Sequence, residues 1–313
     1  MSMYYVDASG DWSGGGRAVL DNLAYAGLDS DPGGQHSRVG ELRPIIPRNV
    51  PTSASALLHP FVWMPQNALP WGRRSPGEAA LRLALRFGSE VSAVRATAMV
   101  RISGAIPPLR HARTSPVLHN VLDRAFDVVI QQLSPMQHGS FYCVGSAHSY
   151  RAIPSLVAGY ARYRDMGGMT GLLIQLSPGT ANEEQKVLSA ASHIHGLKVR
   201  LGGATRVNVA EHMAGSAGVI FPSTIEASPL TLLEALALGK AVACNDIVGH
   251  REMLGEHPAE IFATEDPASV ARSLRGLDAK NGLQAHLLQS ADAREAERVL
   301  WANKLVAFLD EAQ

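Results

Sequence analysis

A chain of 313 residues is too long for one comfortable hydrophobic core and favours two domains of about 150 residues each. Its 46% hydrophobic and 18% charged residues are ordinary for a globular protein, so burial of a sizeable core is expected. The 28 basic and 28 acidic residues give a net charge of +0, and neither end of the chain carries a run of like charges. Bulk electrostatics therefore give no basis for binding nucleic acid or an anionic membrane.

The sequence predicts a reduced, cytoplasmic protein. Cys143 and Cys244 each lie in an apolar run typical of a buried strand, which favours two free core thiols over a disulfide or a metal pair. No window of about 18 apolar residues predicts a transmembrane helix. The first residues are polar where a signal peptide would have an apolar core.

The first half of the chain predicts a short α/β domain. A strand near the N-terminus leads into a loop containing Gly14, Gly15 and Gly16, and an apolar spacing typical of a helix follows. The proline-rich residues 107–139 indicate a connection between domains. We therefore predict an N-terminal Rossmann-like domain at 1–118 and an interdomain connection at 119–139. Other predicted elements are strands at 43–46, 61–63 and 98–103 and helices at 17–28 and 76–97.

From residue 140 onwards strands and helices alternate regularly, which is typical of a parallel sheet covered by helices. We predict a C-terminal Rossmann-like domain at 140–282. Residues 283–313 have a helical pattern and are expected to form one or more helices that could return to the N-terminal domain. Predicted strands are 141–145, 172–176, 199–202, 218–222 and 241–244, and predicted helices are 153–163, 183–194, 207–213 and 229–238.

One loop of the C-terminal domain is the strongest candidate for a ligand site, because ligands of open α/β sheets bind beyond the carboxyl ends of the strands. A buried strand ends near residue 221, a polar loop carries Glu226, and a helix is predicted to begin at Pro229 with Ser228 as its N-cap. The unpaired N–H groups at that helix start suit an anion such as phosphate. Glu234 lies further along the same helix. Two isolated glutamates are more often solvated surface residues, so the interpretation depends on the residues around them.

Those surrounding residues form a longer motif over residues 218–255. It contains a Pro-Ser after a strand, two glutamates with seven residues between them, a Leu-Glu-Ala before a glycine, an apolar strand, an acidic residue and a last glutamate. In this chain these features are Pro222, Ser223, Glu226, Glu234, 233–235, Gly239, 241–244, Asp246 and Glu252. The pattern closely resembles the donor-site signature of family-4 retaining glycosyltransferases, the glycosyl transferases group 1. The resemblance implies a GT-B fold, in which two Rossmann-like domains face each other across a cleft, with a reduced N-terminal domain in this chain.

The resemblance also implies a role for each matched side chain. Glu234 would hydrogen-bond the ribose of a nucleotide, Glu226 would face the hydroxyls of the transferred sugar, and Arg151 would hold the diphosphate. Relatives with this spacing of glutamates generally retain the anomeric configuration, with the departing phosphate assisting deprotonation. No protein base, metal or other cofactor is then expected. Further phosphate or acceptor contacts would come from Ser228, Pro229, Leu230, Gly14, Gly15, Gly16 and Asn67.

The chain departs from the family pattern in several places. Gly145 ends a strand as in relatives, but Ser146 follows where an arginine is usual, and His148 is near enough to supply a phosphate contact in its place. Ala227 replaces a usual glycine, which narrows the backbone conformations open to that loop. The N-terminal domain is short, so the acceptor side is expected to be trimmed or unusual. His193 and His195 share no face of the predicted helix, so they are expected to be exposed and to bind no metal.

The leading hypothesis is a retaining hexosyltransferase that moves a hexose from a UDP- or GDP-linked donor to a hydroxyl acceptor. One alternative is a non-catalytic GT-B-like module that binds sugar nucleotides. The other is a nucleotide-sugar epimerase, for which we find no acid–base residues in the sequence. The acceptor stays open among a glycan, a lipid-linked sugar, a natural product and a modified base, and so does the oligomeric state.

Overall fold

The computed structural model of the chain describes residues 3–7, 40–45, 62–63, 98–99, 101, 103–105, 116–134, 139–177, 179, 181–280 and 289–311. The chain forms two compact units. The first contains Met1–Arg124, Ala227–Leu230 and Ala291–Gln313. The second contains Ala125–Glu226 and Thr231–Ser290.

The described strands of the first unit pair in parallel. Strand β1 (Met3–Asp7) pairs with β2 (Gly40–Ile45), and β3 (Val62–Trp63) pairs with β4 (Ala98–Met99). Parallel pairing agrees with the α/β interpretation, because parallel strands need crossover connections between them. The predicted helices at 17–28 and 76–97 lie outside the described residues.

The second unit contains a six-stranded parallel sheet in the order β10-β9-β8-β5-β6-β7. Its strands are β5 (Phe141–Ser146), β6 (Leu172–Ser177), β7 (Leu197–Leu201), β8 (Gly218–Phe221), β9 (Val242–Asn245) and β10 (Glu260–Phe262). The helices with all or all but the first of their residues in this unit are α1 (Arg124–Gln131), α2 (Ile153–Asp165), α3 (Ala181–Ala191), α4 (Arg206–Gly215), α5 (Leu230–Ala237), α6 (Val248–Leu254) and α7 (Pro267–Lys280). A short 3-10 turn, Ser149–Arg151, precedes α2.

The apolar runs of the sequence become the middle of this sheet. All residues of β8 and the first three of β5 are buried, as expected for strands covered on both faces. The edge strand β7 is more exposed, and its residues Lys198 and Arg200 are exposed. From β5 the chain continues to β6 and β7 on one side, whereas β8 begins the other side. The strand order therefore reverses between β5 and β8, which is where open α/β sheets bind ligands.

Helices α2 and α7 are in close contact, which makes Gly159 of α2 sensitive to substitution. A Cβ atom on Gly159 would overlap Val270 of α7, which is fully buried. We expect Gly159→Ala to lower the free energy of unfolding by about 1–3 kcal/mol, although alanine is otherwise the better helix former. Urea denaturation measures the change. Gly203→Ala is the matched control, because no atom lies within 4 Å of its added Cβ; equal midpoints for the two variants would contradict the close contact.

Helix α8 (Ala291–Glu311) belongs to the first unit, where Arg298 attaches it to residues before α1. The Arg298 side chain is 2% exposed, and its Nη1 donates a hydrogen bond to the carbonyl of Leu122 at 3.1 Å. The same guanidinium pairs with Glu295 on α8 at 2.9 Å. Trp301 and Leu305 are also buried, so α8 is an integral part of the first unit.

Helix α1 lies within residues 107–139, which the prolines indicated to be a connection between domains. Residues 124–131 contain no proline, and Phe126 and Val129 of this helix are buried. One prediction about local structure is wrong. The helix predicted at 183–194 ends at Ala191, so His193 and His195 lie in the turns after α3. Both histidines are exposed, as predicted.

The described part of the chain contains no helix that is both long and apolar enough to cross a membrane. Cys143 and Cys244 are free and buried, as predicted. Burial raises the pKa of each thiol to about 12, so both thiols are protonated and unreactive at neutral pH.

Candidate functional site

Two connections meet at the carboxyl ends of β5 and β8, where the strand order reverses. The first contains the turn Ser149–Arg151, and the second begins at Pro222. Thr224 joins them, because its backbone N–H and its hydroxyl both donate to the carbonyl of Tyr150, at 2.8 and 3.2 Å. Side chains on the two connections are therefore held close together.

Arg151 and Glu226 form an ion pair across this junction. Nη1 of Arg151 donates to Oε1 of Glu226, and the same atom lies 3.3 Å from the hydroxyl of Ser223. The side chains are 26% and 16% exposed, so both are largely withdrawn from water. Burial disfavours the charge on Arg151, but Glu226 favours it more strongly, so the pKa of Arg151 lies above its usual value. The guanidinium therefore carries a fixed positive charge, and its Nε is buried without a hydrogen-bond partner among the described residues.

The backbone around Arg151 fixes the position of its side chain. Ala152, the next residue, has φ 50° and ψ 32°, a left-handed conformation that residues with a side chain seldom adopt. The Arg151 guanidinium carbon lies 5.0 Å from the centre of the Tyr150 ring. On another side Gly145 lies next to the arginine stem, because a Cβ added to it would be in ordinary van der Waals contact with Cδ of Arg151, at 3.5 Å.

Glu234, on α5, is bonded to a second arginine that the sequence did not indicate. Its Oε1 accepts a hydrogen bond of 2.6 Å from Nε of Arg206, and the two side chains are 6% and 31% exposed respectively. Arg206 is the first residue of α4, and its guanidinium carbon lies 5.1 Å from the centre of the Phe126 ring. The buried carboxylate is thus compensated by a cation whose own position is supported by an aromatic ring.

The comparisons with known proteins agree on the type of domain. Residues 125–279 match the model of a family described as "Glycosyl transferases group 1". The matched residues include all six strands of the sheet in the second unit. Comparison with curated proteins gives no match.

Solved structures of similar fold are GT-B glycosyltransferases. An α,α-trehalose-phosphate synthase (UDP-forming) from Burkholderia vietnamiensis aligns with TM-score 0.62 and 11% identity over 80% of this chain and 69% of its own. A sucrose-phosphate synthase from Thermosynechococcus elongatus aligns with TM-score 0.61 and 13% identity over 81% and 68%. A trehalose-6-phosphate synthase studied for glycosyl transfer with retention gives TM-score 0.61 and 11% identity over 80% and 68%. The predicted α/β, GT-B fold is therefore confirmed, whereas identities this low say nothing about substrates.

Three predicted phosphate-binding residues, Ser228, Pro229 and Leu230, belong to the first unit. The hydroxyl of Ser228 accepts a 3.0 Å hydrogen bond from the backbone N–H of Asn120, and its carbonyl accepts one of 3.0 Å from the Asn120 side chain. Helix α5 begins at Leu230, so the prediction that Pro229 is its first residue is wrong by one position. Asn120 lies in the stretch interpreted as a connection, and no sequence pattern marked it as the partner of this loop.

Three predicted donor-site residues lie at or just after the carboxyl end of β5. Gly145 and Ser146 are the last residues of the strand, and the carbonyl of Ser146 accepts a 2.8 Å hydrogen bond from the backbone N–H of His148. The His148 ring is stacked on Tyr150, with 5.9 Å between ring centres and 11° between planes. His148 therefore belongs to the same connection as Arg151.

The remaining predicted residues of the acceptor side, Gly14, Gly15, Gly16 and Asn67, lie outside the described residues. Among the residues that are described, no group of three or more His, Cys, Asp or Glu side chains could hold a metal ion. The acidic motif residue Asp246 makes a two-point ion pair with Arg251, at 2.8 and 3.1 Å. Both partners are more than half exposed, so this pair contributes little to stability.

His250, on α6, is a buried histidine that sequence reasoning missed. It is 1% exposed, and its Nδ1 lies 2.9 Å from the backbone carbonyl of Asn245. Burial lowers the pKa of His250, and the positive charge of Arg151 lowers it further. The hydrogen bond to the carbonyl of Asn245 and the negative charge of Glu226 raise the pKa, but they do not cancel the effect of burial. The imidazole is therefore neutral at physiological pH.

The lowered pKa of His250 predicts that the second unit loses stability in mild acid. An unfolded chain protonates this histidine below its ordinary pKa of about 6.5, whereas the folded chain takes up the proton only at lower pH. The unfolded state then binds more protons, so the free energy of unfolding falls as the pH falls from about 6.5 towards the folded-state pKa. Urea denaturation from about pH 7.5 to about pH 5.5 should show a steeper loss for the wild type than for His250→Asn. Parallel losses would contradict a neutral His250.

Proposed function

We propose that the chain is a retaining glycosyltransferase that moves a hexose from a nucleoside-diphosphate sugar to a hydroxyl acceptor. The observation that carries the proposal is the Arg151–Glu226 pair at the junction of β5 and β8, inside the region that matches the group 1 family. A fixed cation next to a partly shielded carboxylate suits a ligand with a diphosphate at one end and hydroxyls at the other.

In this proposal Arg151 stabilises the negative charge that develops on the leaving phosphate as the glycosidic C–O bond breaks. Its guanidinium is already oriented by Tyr150 and Gly145, so little reorganisation accompanies the reaction. Glu226 accepts hydrogen bonds from sugar hydroxyls when the donor binds, and these bonds replace part of its contact with Arg151. A carboxylate has about four acceptor positions, so Glu226 can serve both partners.

Glu234 is proposed to accept hydrogen bonds from the ribose hydroxyls. Its side chain is buried and ionically compensated by Arg206, so it can remain charged in a poorly solvated position. Oε1 accepts the hydrogen bond from Arg206. No residue is assigned as a general base, in keeping with front-face transfer in which the departing phosphate takes the proton from the acceptor.

A non-catalytic sugar-nucleotide-binding module is the second candidate. The observation that favours it is Ser146, which stands where relatives carry an arginine. With that serine, Arg151 alone provides fixed positive charge on the β5–α2 connection, because His148 is the only other basic residue in residues 146–152.

Turnover assays with UDP-glucose and GDP-mannose distinguish these functions. Each donor is incubated with a broad set of hydroxyl acceptors and without acceptor, and nucleotide release and sugar products are followed by NMR. The proposal expects acceptor-dependent release of UDP or GDP and a product with the anomeric configuration of the donor. Binding without any turnover would support the non-catalytic sugar-nucleotide-binding module. An epimer of the nucleotide sugar that forms without acceptor would support an epimerase.

A further inference from the structure

His250 lies at the same edge of the sheet as the Arg151–Glu226 pair. It is in the first turn of α6, directly after the carboxyl end of β9, and its ring centre lies 6.3 Å from that of Phe221 at the end of β8. The charges of Glu226 and Arg151 both act on its imidazole. These neighbours are all part of the second unit.

The backbone carbonyl that holds His250 belongs to a rigid polar network. The side-chain amide of Asn245 donates to the carbonyl of Ser223 at 3.1 Å, and its oxygen accepts from the backbone N–H of Thr264 at 3.0 Å. The hydroxyl of Thr264 donates to the carbonyl of Pro222 at 2.9 Å. The ends of β8, β9 and β10 are therefore bonded together, and His250 is anchored to this assembly through Asn245.

The anchoring bond determines which nitrogen of His250 is free. A carbonyl oxygen only accepts, so Nδ1 must carry the proton that is donated to Asn245. In a neutral imidazole Nε2 is then an acceptor. It is buried without a hydrogen-bond partner among the described residues, although buried polar atoms in native proteins are nearly always satisfied.

The site thus contains two complementary unsatisfied atoms, a donor on Arg151 (Nε) and an acceptor on His250 (Nε2). A ligand that satisfies both needs an oxygen that accepts from the guanidinium and a hydroxyl that donates to the imidazole. A sugar phosphate carries both groups. We propose that Nε2 of His250 accepts a hydrogen bond from a hydroxyl of the transferred hexose, which makes His250 a sugar-selecting residue of the donor site. This inference rests on the proposed function, because it assumes a nucleotide-sugar donor.

Two substitutions separate this role from a purely structural one. In His250→Asn the side-chain amide can still donate to the carbonyl of Asn245, but the acceptor at the Nε2 position is lost. In His250→Gln an amide oxygen can reach the Nε2 position, while the anchoring donor is lost. A sugar-selecting role makes the asparagine variant the defective one, whereas a structural role makes the glutamine variant the defective one.

The experiment measures dissociation constants for UDP, UDP-glucose, GDP and GDP-mannose with the wild type and both variants. For His250→Asn we expect the affinity for the bound nucleotide sugar to fall about tenfold, while the affinity for the corresponding free nucleotide stays within about twofold. His250→Gln should retain most of the affinity for the sugar nucleotide. Deoxygenating one hydroxyl of the hexose should weaken binding to the wild type, with no further loss in His250→Asn, because the two changes remove the same bond.

Three results would overturn the inference in different ways. Equal losses for nucleotide and nucleotide sugar in His250→Asn would show an indirect effect on the whole site. Unchanged affinities in His250→Asn would show that Nε2 contacts no part of the donor. Failure of all four compounds to bind the wild type would contradict the proposed function itself, and the inference would fall with it.

Discussion

Arg151→Met is expected to reduce the rate of glycosyl transfer by about 100- to 1000-fold, the loss seen when one group that stabilises developing negative charge is removed. Arg151 provides this charge because its guanidinium is largely buried and paired with Glu226. The comparison of kcat/KM for wild type and variant, with the donor that the wild type uses, measures the effect. Methionine has a similar unbranched stem, so the packing against Gly145 is preserved and the loss reports the charge.

Arg151→Lys is the matched control, because it keeps a positive charge at this position. Lysine keeps the charge but lacks the several nitrogens with which a guanidinium can contact Glu226 and the phosphate together. We therefore expect kcat/KM to fall about tenfold. A methionine variant as active as the lysine variant would contradict a role for the charge. The variant that combines Arg151→Met with Glu226→Gln indicates whether the unpaired carboxylate, rather than the missing cation, causes the defect.

Glu234→Gln is expected to raise the dissociation constant for the nucleotide by about 10- to 100-fold, because a charged acceptor of ribose hydroxyls becomes a neutral one. The carboxylate is 6% exposed, so water cannot easily replace the lost bonds. Isothermal titration with UDP and GDP measures the change. Free nucleotide and nucleotide sugar should lose affinity equally, in contrast to His250→Asn, because both contain the ribose.

Glu256→Gln is the control for this charge change, since Glu256 is an exposed glutamate beyond the C-terminal end of α6. It should leave nucleotide affinity unchanged. Arg206→Gln tests the partner of Glu234: the ribose contact should persist while the domain becomes less stable, because a buried carboxylate loses its cation. Nucleotide affinity equal to that of the wild type in Glu234→Gln would remove this residue from the site.

The sequence predicted the sheet and the two glutamates because these features are local. Runs such as those of β5 and β8 are apolar throughout, and the spacing of Glu226 and Glu234 lies within one strand–loop–helix unit. By contrast, the Arg151–Glu226 pair joins residues 75 positions apart. Their contact follows from the neighbouring positions of β5 and β8 in the sheet, which no local pattern specifies.

Two site residues, Arg206 and His250, were not identified from the sequence. Arg206 resembles any charged residue in the first turn of a helix. Its contact with Glu234, 28 residues away, is created by the fold and is not specified by a local pattern. His250 is a single histidine between the motif residues Asp246 and Glu252. Only this position within the motif could have indicated from the sequence that His250 belongs to the site. Helix α6 and β10 were not predicted either, because such short elements lack a long periodic pattern. The longer helix α7 was also not predicted.

Thermal unfolding of the wild type and Glu234→Ala with UDP, UDP-glucose, GDP and GDP-mannose tests the central claim, a nucleotide-sugar site at the carboxyl ends of β5 and β8. A compound present at about 100 times its dissociation constant adds roughly 2.7 kcal/mol to the free energy of unfolding. We predict that nucleotides of one base raise the melting temperature of the wild type and that the shift is lost in Glu234→Ala. Absence of a shift with all four compounds, or an equal shift in the variant, would contradict the proposed site.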